Sequence, residues 1–338
     1  RIGKANEVIL LVMTEFGRRV PENTSLGTDH GAAGPMFIIG KNVKGGHYGK
    51  ISDLKNGLDD GDNINFTTDF RSVYATAIDE GMSLLDTAVD EPLVVESDST
   101  VWKPRNHDRQ CHGNMTLARA LSYSSNIISA KTILAVGPSK VAALAKRFHL
   151  SNPLAYPALS LGCIDSTLDQ VGAMFNVFAN DGVYVRPHFI KWVKNRLGKK
   201  IYKEPFYSER VLTTHTTGQI ARVLSLGMER KRKFSKQWID SASINKTGTT
   251  NDSRSCWFAA STPELTTVLY AGYDDNRPMG ANVYPVHTGF PIWLALHKTI
   301  STQKKDFSFD RSLCEVKVNI KTGKLASHSG PEVFSLLV

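Results

Sequence analysis

The sequence predicts an α/β chain of the mixed α+β kind, an antiparallel sheet flanked by helices. Two observations predict it. Helical periodicity is grouped in the middle of the 338 residues, and the last third carries β-branched and aromatic runs separated by turn residues. The length allows two ordinary domains or one large one, each able to bury a core. A composition of 41% hydrophobic and 22% charged residues, with 26 Gly and 14 Pro, excludes collagen-like, coiled-coil and wholly disordered chains.

In chain order, Glu7 to Thr14 is a β-branched and leucine-rich run that suits a strand buried on both faces. Pro35 to Gly40 reads as a second short strand, and the Gly- and Asp-rich stretch from Lys41 to Asn65 as loop. From Phe70 to Leu85, apolar residues fall at helical spacing (Val73, Ala77, Ile78, Met82, Leu85). The same test gives helices over Thr116 to Ala135, Ser139 to Phe148 and Leu168 to Asn180. Asn180-Asp181-Gly182 closes the last of these before the strand-like Val183-Tyr184-Val185. Cys256 to Ala260, the turn Thr262 to Leu265, and Thr266 to Tyr273 then make an antiparallel hairpin.

The net charge is +9, and residues 1 to 76 balance nine Lys and Arg against nine Asp and Glu, so the excess lies entirely beyond them. Such a surface suits an anionic polymer or a membrane face. The dense run Glu229 to Lys233 has no interleaved aromatics, which reads as a solvated helix end and argues against nucleic acid. The four cysteines form no CxxC pair and are expected as buried free thiols. The longest apolar run, Val8 to Met13, is too short to cross a bilayer, so membrane association is expected only through an anchor missing from this chain, which also shows no signal peptide.

The strongest local signal is Lys246-Thr247-Gly248-Thr249-Thr250. Its Gly permits close backbone approach by a substrate, its hydroxyls can bind a carboxylate, and its ammonium supplies a fixed charge. Upstream, Ser124-Ser125-Asn126 sits in the predicted helix beginning at Thr116, where small polar residues ordinarily cap or face solvent. These two motifs stand in one order with Met115 to Leu121, Phe175 to Val185 and Gly272 to Pro278. Over about residues 72 to 330 the chain resembles the penicillin-binding protein transpeptidase domain of the bifunctional high-molecular-weight class. The resemblance implies a serine β-lactamase-like fold in the cell envelope, periplasmic or extracytoplasmic. It also implies an acyl-transfer site built from S-x-x-K, S-x-N and K-T-G that acts on D-alanyl-D-alanine stem peptides of peptidoglycan or on β-lactams, with no cofactor. Carried over, Ser124 would relay a proton and Asn126 would hold the substrate amide. Lys246, Thr247 and Thr249 would form the carboxylate and electrostatic group around Gly248, and the Thr250 N–H would be half of an oxyanion hole.

The first element is missing. Aligning the family's helix on Tyr74 without a gap puts Thr67 at the Ser position and Phe70 at the Lys position; sliding by one gives Thr68 and Arg71. Phe cannot take a proton and Arg stays protonated, so a serine-type D,D-transpeptidase would here lack its nucleophile and base. The first residues explain the loss. Glu15 to Arg19, Gly27 to Gly31, Gly34 to Gly40 and Thr67 to Thr76 resemble the C-terminal part of an uncharacterised family in the alkaline phosphatase and sulfatase-like superfamily. A chimera is therefore expected, with an incomplete alkaline-phosphatase-like fragment over 1–76, a transpeptidase domain lacking its first strands over 77–300, and a C-terminal extension over 301–338. Glu7 to Thr14 and Pro35 to Gly40 are candidates to replace the missing sheet strands. In that superfamily an Asp-His pair such as Asp29-His30 ligates a metal. The alternatives are accordingly a divalent-metal-dependent phosphoesterase or sulfatase-like hydrolase, or a non-catalytic cell-wall binding module.

Overall fold

A computed structural model describes residues 10–13, 17–22, 28–31 and 36–39, and then 70–338 apart from 98–99, 152, 163, 165, 237, 251–252, 274–276, 281–282, 301–303, 329 and 331; side chains are described from residue 72 onward, those of Ser97 and Thr100 excepted. The chain divides into two compact units, one of residues 1–65, 251–255 and 272–282, the other of 66–250, 256–271 and 283–338.

In the first unit, β1 (Leu10–Met13) pairs antiparallel with β4 (Met36–Ile39), and β2 (Gly17–Glu22) with β3 (Thr28–Gly31). Both expected strands exist. They make a two-stranded sheet of their own instead of completing the sheet of the transpeptidase-like part, which corrects the replacement expected from the sequence. The stretch from Lys41 to Asn65 lies outside the described residues.

The second unit is built around α1 (Phe70–Asp79), in which six consecutive residues, Ser72 to Ala77, are buried. A helix buried all round is central rather than a surface element, and α1 packs on α2 (Leu117–Tyr123), α3 (Asn126–Val136), α4 (Pro138–Arg147) and α6 (Thr214–Phe234). It stops short of Leu85 because Gly81 takes φ +89° while the Met82 N–H reaches back to the Ala77 carbonyl at 2.9 Å. Between them lie β5 (Thr87–Asp90), paired with β8 (Gly113–Thr116), and the ribbon of β6 (Val95–Ser97) with β7 (Thr100–Trp102). A capping box of Thr167 and Gln170 opens α5 (Leu168–Ala179), and β9 (Val183–Val185) pairs with β12 (Ser208–Arg210), enclosing the hairpin of β10 (Trp192–Lys194) and β11 (Lys200–Lys203).

The sheet of this unit has the order β13 (Ile244–Thr249), β14 (Ser255–Ser261), β15 (Thr266–Gly272). One face of it meets α7 (Gly289–Ile300), where Phe258, Phe290 and Trp293 pack with Trp238 and Met228. The segment expected to be an extension forms the hairpin β16 (Glu315–Asn319) and β17 (Val333–Leu337). Its Val318, Ile320 and Leu336 belong to the main core. Among the cysteines, Cys256 is buried as expected, whereas Cys111 and Cys314 are exposed; Cys163 lies outside the described residues. The run Glu229 to Lys233 does end α6, but Arg230 is not solvated there: it is turned inward against α2.

Candidate active site

The expected single helix over Thr116 to Ala135 is two helices, and the break is the site. Ser124 takes φ 58° and ψ 46°, a left-handed conformation usually given to Gly. Its N–H donates to the Leu121 carbonyl at 3.2 Å and that of Ser125 to the Ala120 carbonyl at 2.9 Å, closing α2. Ser125 at once caps α3, its hydroxyl accepting from the Ile128 N–H at 3.1 Å. The doubled serine, read as a helix interior, is thus a stop followed by a start.

Lys246 is the third residue of β13 and is buried, and its ammonium donates to the Ser124 hydroxyl and, at 2.8 Å, to the Thr247 carbonyl. The two sequence motifs therefore meet. Strand alternation puts Lys246 and Gly248 on one face of β13 and Thr247 and Thr249 on the other. On that second face the Thr249 hydroxyl lies beside the Cys256 thiol, which burial pushes up while the hydroxyls of Thr249 and Thr288 pull it back. Thr250, one residue past the strand, is half-buried. Asn126 opens α3, and its amide donates to the Arg105 carbonyl at 2.7 Å.

Beneath this junction lies a buried polar set that sequence reasoning missed. The Asn106 amide donates to both carboxylate oxygens of Asp90 (2.9 and 2.8 Å) and to the Gln110 carbonyl (2.8 Å), and its own oxygen accepts from the Asn126 N–H at 2.9 Å. The Ser125 hydroxyl donates to Asp90 at 3.1 Å. A carboxylate at the amino end of α3 is favoured by the helix dipole, and Asn106 joins that carboxylate to the helix's first amide. No periodicity marks Asp90 or Asn106, which stand 16 residues apart, one ending β5 and the other in a loop. Further support comes from Tyr74 on α1, whose hydroxyl contacts that of Ser129 on α3 at 3.2 Å; burial above all raises its pKa. On α6, Arg230 holds both the carbonyl (2.6 Å) and the hydroxyl (2.7 Å) of Ser122, two residues before Ser124, and covers the Tyr123 ring at 4.4 Å. These groups position the junction from three sides.

Thr67 and Thr68 lie outside the described residues, as do the side chains of Phe70, Asp29 and His30; the last two fall on β3. Among the described residues no cluster of three His, Cys, Asp or Glu could hold a metal ion. The sequence does contain S-x-x-K spacings that the ungapped register passes over. Ser52-Asp53-Leu54-Lys55 lies outside the described residues, as do the first three residues of Ser301-Thr302-Gln303-Lys304, and Ser243 to Lys246 enters β13, where alternation sends its two ends to opposite faces.

Comparison with known proteins bears on this geometry. A family model described as a protein of unknown function (DUF1501) matches residues 1–77, which places the first part of the chain in an uncharacterised family and goes no further. The chain is 29% identical over 254 residues to penicillin-binding protein 1A of Aquifex aeolicus, covering 73% of this chain and 34% of that protein. The match spans only about a third of the length of such relatives. It resembles the crystal structure of penicillin-binding protein 1A from Haemophilus influenzae with a TM-score of 0.70 and 23% identity, over 79% of this chain and 47% of that one. It also resembles PonA1 from Mycobacterium tuberculosis in complex with penicillin V (TM-score 0.63, 18% identity, 78% and 74% covered). These likenesses give the second unit a β-lactamase-like fold. With the penicillin binding protein transpeptidase domain model matching residues 72–276, well over half of the sequence, the chain belongs to that family.

Proposed function

We propose that this transpeptidase-type domain recognises the terminal carboxylate of a D-alanyl-D-alanine stem peptide, or of a β-lactam, and is not acylated by it. The observation that carries the reading is the hydrogen bond from Lys246 to Ser124, which fixes a buried ammonium beside a hydroxyl on an exactingly closed turn. Lys246 supplies the charge, Thr247, Gly248 and Thr249 the strand along which the ligand carboxylate lies, and the Thr250 N–H a donor to its carbonyl. Asn126 donates one amide proton to the Arg105 carbonyl, and its oxygen is placed as an acceptor for the ligand's own N–H. Peptidoglycan as ligand puts the domain in the cell envelope. Covalent chemistry needs a hydroxyl and a base, and the ungapped register offers Thr67 with Phe70. The two family matches meet between residues 72 and 77, and we read the chain as a junction of two families whose first member belongs to the alkaline phosphatase and sulfatase-like superfamily.

Intact mass after incubation with a labelled penicillin, alongside equilibrium binding of a D-alanyl-D-alanine peptide, tests both halves. The expected result is no adduct and measurable binding. Lys246→Ala weakens that binding by roughly 1.5 to 3 kcal/mol, about 10- to 150-fold, as for a lost charge-assisted hydrogen bond. A penicilloyl adduct mapped to any residue would overturn the non-acylating half. Absence of peptide binding, or indifference to Lys246→Ala, would overturn the recognition half.

A further inference from the structure

We infer that residues 186–206 form a membrane-contact hairpin that seats the domain on an anionic phospholipid surface. The chain leaves the β9–β12 pair at Arg186, whose N–H donates to the Tyr207 carbonyl at 3.1 Å, and returns at Tyr207. That base is anchored. Tyr184 is buried and stacked on His149 at 4.3 Å, and Val211 and Leu212 lie in the core. The excursion itself is not covered: every residue from 186 to 206 is exposed except Trp192, Asn195 and Glu204, which are half-buried.

What it exposes has two characters at once. Leu197 at the tip is 92% accessible, Phe189 79% and Phe206 75%, with Ile190 and Ile201 also exposed. The tip is held in shape by Asn195, whose side-chain oxygen accepts from the N–H groups of Leu197 and Lys199 at 3.0 Å each, and by Gly198 at φ +79°. Around these apolar side chains stand seven Lys and Arg against a single Glu, so this segment carries a net +6 of the chain's +9. Arg186 and Lys194 lie over the rings of Tyr207 and Trp192, and none of the seven is in an ion pair among the described residues.

Mutually repelling cations and uncovered large apolar side chains are both unfavourable in water, and one environment relieves both. An anionic bilayer neutralises the cations with its headgroups and accepts the apolar tip beneath them. A hydrophilic polyanion answers the charge and leaves Leu197, Phe189 and Phe206 wet; an apolar protein groove answers these and leaves the charge. The bilayer is the occupant that fits.

The test is sedimentation of the full chain with vesicles of phosphatidylglycerol and phosphatidylcholine in equal parts, against pure phosphatidylcholine. Binding is expected to the anionic vesicles alone, and to fall at least about tenfold when salt is raised to 0.5 M and the screening length shrinks to about 4 Å. Leu197→Ser with Ile201→Ser, and separately Lys199→Gln with Lys200→Gln, should each weaken it about tenfold or more without moving the melting temperature, since all four side chains are exposed. Three results overturn the inference: no sedimentation with anionic vesicles, sedimentation indifferent to both pairs of substitutions, or heparin binding as tight as vesicle binding and insensitive to Leu197→Ser with Ile201→Ser.

Discussion

At the scale of single residues, Ser124 does two things that pull apart under mutation. Its hydroxyl receives the Lys246 ammonium, and its backbone holds a left-handed conformation that costs a side-chain-bearing residue about 1 kcal/mol relative to Gly. Both Ser124→Ala and Ser124→Gly remove the hydroxyl, but only the second relieves the backbone. Ser124→Gly should therefore be the more stable of the two by about 1 kcal/mol in urea unfolding. Equal stability would show that the turn is not held left-handed. Asn106 is the more sensitive position. Asn106→Ala strips a buried carboxylate of its amide donor and leaves the first N–H of α3 without its acceptor. A loss of roughly 2 to 4 kcal/mol in the same measurement is expected, well above an ordinary surface substitution.

At the scale of elements, α7 shows how a buried histidine makes stability depend on pH. His297 is about 1% exposed, stacks on Trp293 at 4.6 Å and meets the Thr267 hydroxyl of β15 at 2.8 Å; burial lowers its pKa to about 4. The unfolded chain has the ordinary value of about 6.5, so above that pH neither state is charged and nothing is lost. As pH falls below 6.5 the unfolded chain takes up a proton that the folded one refuses, and stability declines until about pH 4. Between pH 7.5 and pH 5 this group should cost about 2 kcal/mol, read as the difference in pH dependence between the parent and His297→Gln. Elements also differ in how they announce themselves. The hairpin of β14 and β15 was legible because aromatic and β-branched residues bracket the Thr262 to Leu265 turn. The break between α2 and α3 was not, since two serines carry the signals usually supplied by a Gly and a cap. Of the 21 residues of α6 only the basic end was legible as helix; its threonine-rich start hid the rest of a helix that is buried along one side.

At the scale of the whole molecule, the meeting of Ser124 and Lys246 was legible only because two weak motifs stood in one order. The supports beneath them, Asp90 and Asn106, depend on long-range placement that no local pattern encodes. The same holds for the C-terminal hairpin, which reads in sequence as an appendage and is integral to the fold. Ile320 accepts from both the N–H (3.2 Å) and the hydroxyl (2.6 Å) of Thr116, at the very start of α2, and Val318 and Leu336 are buried with it. Burying three such side chains is worth about 5 to 8 kcal/mol in total, comparable to the entire stability of a typical domain. Removing residues 315–338 should therefore abolish cooperative unfolding of the second unit and not merely lower its midpoint. Circular dichroism melts of the truncated and full chains distinguish the two outcomes: a sharp transition surviving the truncation would mean that β16 and β17 decorate a core complete without them.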